Sequence, residues 1–113
     1  MRRAKVMDGN LQRAVHEMRR GLIDADLGGG VVKKRLAVEG RGKRGGVRTL
    51  VATRRADRWF FLFGFEKSER ANVRADELRA LQALAQELLA YDDHALDVAV
   101  AQGELVEVSI GES

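Results

Sequence analysis

The sequence predicts an α+β fold, an antiparallel β-sheet flanked by helices, and three observations carry that expectation. Apolar residues recur at helical spacing near both ends of the chain. Between them lie two runs of strand-like character and a third that is almost wholly aromatic. Twelve glycines and no proline shape the connections, which suits hairpins better than linkers. At 113 residues the chain is expected to form one domain, residues 1–113, around a single core.

The first helix is expected from about Gly9 to Arg20, with Asp8 as its N-cap. Leu11, Ala14, Val15 and Met18 follow the 3.6-residue period, and Gly21 supplies the stop. Ile23 to Gly30, ending in three consecutive glycines, reads as a turn-rich passage. The run Val31 to Val38 then sets Val32, Leu36 and Val38 against Lys33 and Arg35, as a half-buried strand does. After the loop Glu39 to Gly46, Val47 to Arg54 is again strand-like, and a turn at Ala56-Asp57 returns it as Arg58 to Phe65.

In that last run strict alternation sends Trp59, Phe61, Phe63 and Phe65 to one face and Phe60 and Leu62 to the other. An interior strand covered on both sides is expected, its aromatics serving as core and not as stacking platforms for bases. The final third is helical. Asp76 is expected to cap a helix whose stripe of Leu78, Leu81, Leu84, Ala85, Leu88 and Leu89 is wide enough to lie across a sheet. A second helix from about Asp93 to Gln102 stops at Gly103, and Glu104 to Val108 alternates like a terminal edge strand.

Charge divides the chain. From Val31 to Arg58 there are ten Lys or Arg against two acids, whereas from Arg74 to Ser113 two arginines face nine acids. The first half suits a polyanion, and Lys33, Arg35, Arg41, Arg44 and Arg54 are expected to meet RNA from the sheet and its cationic loop. That loop packs four glycines and three cations into the eight residues Glu39 to Gly46, so amides and charges can converge on one phosphate. Its Gly40-Arg41-Gly42-Lys43-Arg44-Gly45 matches the dinucleotide-binding spacing but is followed by a strand and not a helix, so that reading is rejected.

Other chemistry finds little support. The absence of cysteine removes disulfides and thiolate metal sites, and no run approaches the roughly 20 apolar residues of a membrane span. The N-terminus lacks a secretory h-region, and a cytoplasmic location is expected. His16 and His94 have no partner at ligand spacing, and turn or capping roles account for Asp24, Asp26, Asp92 and Asp93, so neither metal nor cofactor is expected. Arginines and lysines remain, which fits phosphate chemistry, where developing negative charge must be stabilised.

Three blocks in order carry a resemblance: Gly21 to Gly30, Gly42 to Leu50, and Phe63 to Arg70. Together they resemble the RelE/HigB-like toxins of bacterial type II toxin-antitoxin systems, over nearly the whole chain. The resemblance implies a microbial RNase fold, ribosome-dependent cleavage of mRNA, and an antitoxin, often of helix-turn-helix type, that holds the toxin inactive. Matched position by position, Lys43, Arg44 and Arg48 fall on the basic loop and following strand, and Lys67 on a basic position past the aromatic strand. The implied catalytic residues are Arg48, Lys67 and Lys43.

Two departures from the family pattern stand out. Where some relatives present a tyrosine as proton carrier, this chain has Phe65 and Val73, leaving Glu69 as a weak substitute. RelE-like toxins also usually open with a strand, and Met1 to Met7 contain no convincing one, so either a homodimer or reduced stability is expected from an unfilled sheet edge. The rival functions are gyrase poisoning, as in ParE-like relatives, and a degenerate toxin that binds antitoxin or RNA without cutting.

Overall fold

The computed structural model describes residues 8–36, 47–54, 58–66 and 72–106, with side chains from Leu11 onward. Within them the elements run α1 (Asp8–Arg19), β1 (Ala25–Gly28), β2 (Val31–Leu36), β3 (Val47–Thr53), β4 (Trp59–Glu66), α2 (Ala75–Leu89) and α3 (Asp93–Ala101). The strands form an antiparallel sheet in sequence order, β1-β2-β3-β4, so the fold is α+β as expected.

Helix α1 ends as its sequence demands. The Gly21 N–H bonds the Met18 carbonyl at 2.9 Å and the Leu22 N–H bonds the Glu17 carbonyl at 3.0 Å, while Gly21 takes φ 86°. This is the Schellman stop, which needs a residue without Cβ penalty at the left-handed position. Ala14, Val15 and Met18 then bury against Val32, Leu36 and Val51, with Leu11, Ile23, Trp59 and Phe61 closing the edges of this first core. Lys34 belongs to the same face of β2 and is buried too, its Nζ 2.7 Å from Glu17 Oε1 of α1.

The second core lies on the opposite face of the sheet. Val31, Leu50 and Ala52 pack under Ala85 of α2, with Leu78, Leu81 and Leu89 beside it, so the leucine stripe does lie across the sheet. Its orientation is pinned by polar bonds as well as burial. Gln82 Nε2 donates to the carbonyls of Leu27 at 3.1 Å and Gly28 at 3.2 Å, and Gln86 Nε2 donates to Gly29 at 2.8 Å. At the other end of α2 the Arg58 guanidinium donates to the carbonyls of Leu89 and Tyr91 and lies 3.6 Å from Asp93, tying the start of β4 to the α2–α3 junction. Helix α3 is capped by Asp92, which accepts from Ala95 N–H at 2.8 Å, and Gly103 follows it at φ 79°.

Several expectations need correction. The passage Ile23 to Gly30 is not all turn: Ala25–Gly28 is a strand paired with β2, and only the glycines at its end make the reversal. Asp76 does not cap α2, which begins at Ala75; Glu77 Oε1 accepts from Arg74 N–H at 2.9 Å instead, and Asp76 holds the Arg74 guanidinium. Strand β4 sits at the end of the described sheet and not in its interior. Glu104 to Val106 form no strand, and Glu107 and Val108 lie outside the described residues, as do Met1 to Met7.

The aromatic alternation also breaks. Leu50 pairs with Phe63 but Val51 pairs with Phe61, so a bulge at Leu62 interrupts the register. Trp59 and Phe61 stay with the α1 core, whereas Phe63 joins Phe60 and Leu62 on the α2 side. One inserted residue shifts every later side chain to the other face.

Candidate nucleic-acid interface

Register brings three of the expected cations onto one face. Arg35 of β2 is directly opposite Arg48 of β3, and Lys33, two residues back on β2, is opposite Leu50. Directly opposed residues in an antiparallel pair have Cα atoms about 4.5–5.5 Å apart, and residues two apart on a strand about 7 Å. Leu50 belongs to the core under α2, so Lys33, Arg35 and Arg48 share that face. They lie past the end of the face that the α2 leucines cover: Arg35 is exposed, and Lys33 and Arg48 are half-buried.

Like charges placed opposite each other across two strands destabilise a sheet. Among the described residues no carboxylate offsets the Arg35–Arg48 pair by an ion pair. A phosphate between the two guanidinium groups would reverse the sign of that interaction and could be gripped by both forks at once. Beside Arg48 stands Phe65, its cross-strand partner, only 4 % exposed and in tilted contact with Phe63 at 6.0 Å between centroids. These rings are packing that stiffens the cationic face, in agreement with their reading as core.

The remaining cations fare differently. Arg54 follows β3 at the opposite end of the sheet, six residues or about 20 Å from Arg48 along the chain, and lines a separate cleft with Asp26, the glycine turn and Thr53. It therefore does not join the cluster. Lys34 and Arg58, both counted in the basic half, are committed to Glu17 and to the α2 carboxyl end. Arg41, Lys43, Arg44, Lys67 and Glu69 lie outside the described residues.

A second feature was missed in the sequence. Between α1 and β2 lies a cleft of about 220 Å³ lined by Arg13, Glu17, Asp24, Lys34, Arg35 and Leu36. Arg13 and Glu17 are one helical turn apart, beside the apolar stripe, and that i, i+4 placement was the available signal. At the start of α2 a hydrogen bond from Arg74, helped by its charge, holds the exposed Asp76 carboxyl below the ordinary aspartate value. No helix among the described residues is long and apolar enough to cross a membrane.

A family model described as the RelE toxin of the RelE/RelB toxin-antitoxin system matches residues 1–108. No curated protein matches the sequence.

Proposed function

This chain belongs to the RelE toxin family of toxin-antitoxin systems, and from that premise we propose that it is a ribosome-dependent endoribonuclease acting on mRNA. The observation that supports this reading best is the Arg35–Arg48 pair, two arginines opposed across β2 and β3 with Lys33 next to them. Such a pair matches the geometry of a phosphate and the needs of its cleavage.

In the proposed reaction the ribose 2′-oxygen attacks the adjacent phosphorus, forming an O–P bond as the P–O5′ bond breaks. The 2′-hydroxyl proton passes to a base, and O5′ takes up a proton as it leaves. Products are a 2′,3′-cyclic phosphate and a 5′-hydroxyl. Arg48 and Arg35 hold the phosphate and gain interaction energy as its equatorial oxygens accumulate charge. Lys67 and Lys43, matched by the resemblance, would add charge or a proton from outside the described residues. Among the described residues Phe65 adjoins Arg48 and cannot move a proton, so a lysine or a ribosomal group is proposed as the base.

The partner that the family implies is an antitoxin, and we read a helix-turn-helix type from the resemblance. The test is primer extension on a reporter mRNA in a reconstituted translation system, with and without ribosomes, using the protein and its Arg48→Ala, Arg35→Ala and Lys67→Ala variants. The expected result is cuts that require translating ribosomes, carry 5′-hydroxyl ends and fade in the variants. Intact mRNA with broken DNA would instead assign a gyrase-poisoning activity, and neither product would assign binding alone.

A further inference from the structure

Helix α3 carries more apolar surface than the fold uses. Helical spacing sets Ala95, Leu96, Val98, Ala99 and Val100 on one broad arc of about 200°. Only Ala99 of these is buried, while Val98 and Val100, at the two edges of the arc, are 38 % and 39 % exposed. Charge is as uneven as burial. From Ala80 to Val106 five carboxylates, Glu87, Asp92, Asp93, Asp97 and Glu104, meet no lysine or arginine. Asp92 caps α3, and Asp93 touches Arg58 with its own side chain fully open to water. Among the described residues Asp97 and Glu104 form no ion pair.

These groups make a strip. Asp93, Asp97 and Val100 recur at i, i+4 and i+7 and so lie along one line of the helix, with Val100 as its exposed apolar member. The Glu104 N–H bonds the Ala99 carbonyl at 2.9 Å and keeps a further carboxylate at the end of α3.

The sign of the strip limits what covers it. Pairing α3 with α3 of another copy would set the same carboxylates against each other, so the complement is a cationic surface with long aliphatic stems. The chain carries one. Lys33, Arg35 and Arg48 share a face and likewise have no ion pair among the described residues. Spacing agrees as well as sign: side chains one helical turn apart, such as Asp93 and Asp97, have Cβ atoms about 5–6 Å apart, and opposed strand residues such as Arg35 and Arg48 have Cα atoms about 4.5–5.5 Å apart. Each guanidinium can therefore meet one carboxylate while the arginine stems cover Val100.

Within one copy the two surfaces stay apart. Arg58 holds Asp93 near the end of the sheet where Thr53 pairs with Trp59, whereas Arg48 stands opposite Phe65, six residues or about 20 Å further along β4. Asp97 is only about 6 Å beyond Asp93 along α3, well short of that distance. We infer that α3 of one copy docks on the Lys33, Arg35 and Arg48 face of a second copy, a head-to-tail contact that repeats from copy to copy. Self-association and RNA then compete for one face. That consequence rests on the nuclease reading above, and the contact itself does not.

Sedimentation velocity of the intact protein over a range of concentrations tests it. The expected result is reversible growth through dimers to longer species in the micromolar range, weakened about tenfold or more when salt rises from about 0.05 M to about 0.5 M, and dissolved by a short single-stranded RNA. Asp97→Arg, at an exposed helix position, and the double variant Arg35→Ala, Arg48→Ala should each remain folded by circular dichroism and sediment as monomers. Mixing the two should give a dimer with one copy of each and nothing longer, because a single unaltered interface survives between them. Monomers of the unaltered protein at every concentration, a dimer that never extends, or a mixture that stays monomeric would overturn the inference. An unaltered protein that is monomeric but loses its antitoxin on Asp97→Arg would assign the strip to the antitoxin and overturn it equally. None of these outcomes bears on whether mRNA is cut.

Discussion

Lys34 Nζ lies 2.7 Å from Glu17 Oε1, joining the middle of β2 to the last turn of α1 across the first core. The lysine is the buried member of the pair, so loss of the glutamate charge leaves an ammonium in an apolar wall. Glu17→Gln is expected to destabilise the protein by roughly 1–3 kcal/mol, whereas Lys34→Met should be close to neutral because a packed apolar chain replaces the pair. Urea unfolding of both variants measures the asymmetry, and equal losses would show that Lys34 is not the strained partner.

Arg58 ties β4 to the end of α2 through the carbonyls of Leu89 and Tyr91 and through Asp93. Charge-assisted bonds of this kind contribute about 1.5–3 kcal/mol each when their partners are shielded. Arg58→Ala should therefore lower stability by roughly 2–3 kcal/mol, scaled down because the Asp93 side of the contact is open to water. Arg58→Lys should recover only part of it, since an ammonium cannot reach two carbonyls with a fixed fork. Hydrogen exchange at the last turn of α2 and in α3 provides the local readout.

Two glycines separate backbone strain from crowding. A Cβ at Gly21, φ +86°, would meet nothing within 4 Å, while one at Gly29, φ +64°, would come within 2.9 Å of Gln82 Cγ. Gly21→Ala should cost about 1–2 kcal/mol, the left-handed penalty alone, and Gly29→Ala should cost more. Adding Gln82→Ala to Gly29→Ala is expected to return only part of the excess, because Gln82 Cβ itself would lie 3.1 Å from the new methyl, a coupling that thermal melts of the four-member cycle would reveal.

Salt dependence reports on the cationic face without requiring catalysis. Each phosphate contact removed should reduce the slope of log affinity against log salt for single-stranded RNA by about 0.7. Arg35→Ala and Arg48→Ala are each expected to lose about that amount, and Arg54→Ala is expected to lose less because it stands at the far end of the sheet. Filter binding at several ionic strengths would expose an Arg54 contribution equal to the others and so refute the clustering.

Acid should fray the start of α2. The hydrogen bond from Arg74 holds the folded Asp76 carboxyl below its ordinary value, so the contact stabilises the helix above the unfolded pKa near 3.8 and is lost as pH falls through the folded value. An NMR titration of Asp76 should give a midpoint below that of an ordinary aspartate, returning toward it in Arg74→Ala. Because both groups are exposed, the global melting temperature should change little.

Much of this arrangement is legible in the residues. Gly21 marks the end of α1, and the Leu78 to Leu89 stripe foretells a helix across a sheet, because both signals are local. Strand β1 escapes detection because Ala-Asp-Leu-Gly is short, polar and free of β-branched residues, and its pairing is set by a glycine turn. The β4 bulge falls in a run apolar on both faces, where a shift of one residue leaves no trace in hydropathy. The opposition of Arg35 and Arg48 depends on register between residues thirteen positions apart, which strand propensity does not encode.

Trp59, the single tryptophan, sits where β4 meets the last turn of α1, its ring 5.0 Å from the Arg19 guanidinium carbon and its Nε1 buried without a hydrogen-bond partner among the described residues. The chain thereby carries its own optical probe. Separation of α1 from the sheet would bring water to the indole and move its emission to the red, so the seating of that helix can be followed in unlabelled protein as RNA or antitoxin is added.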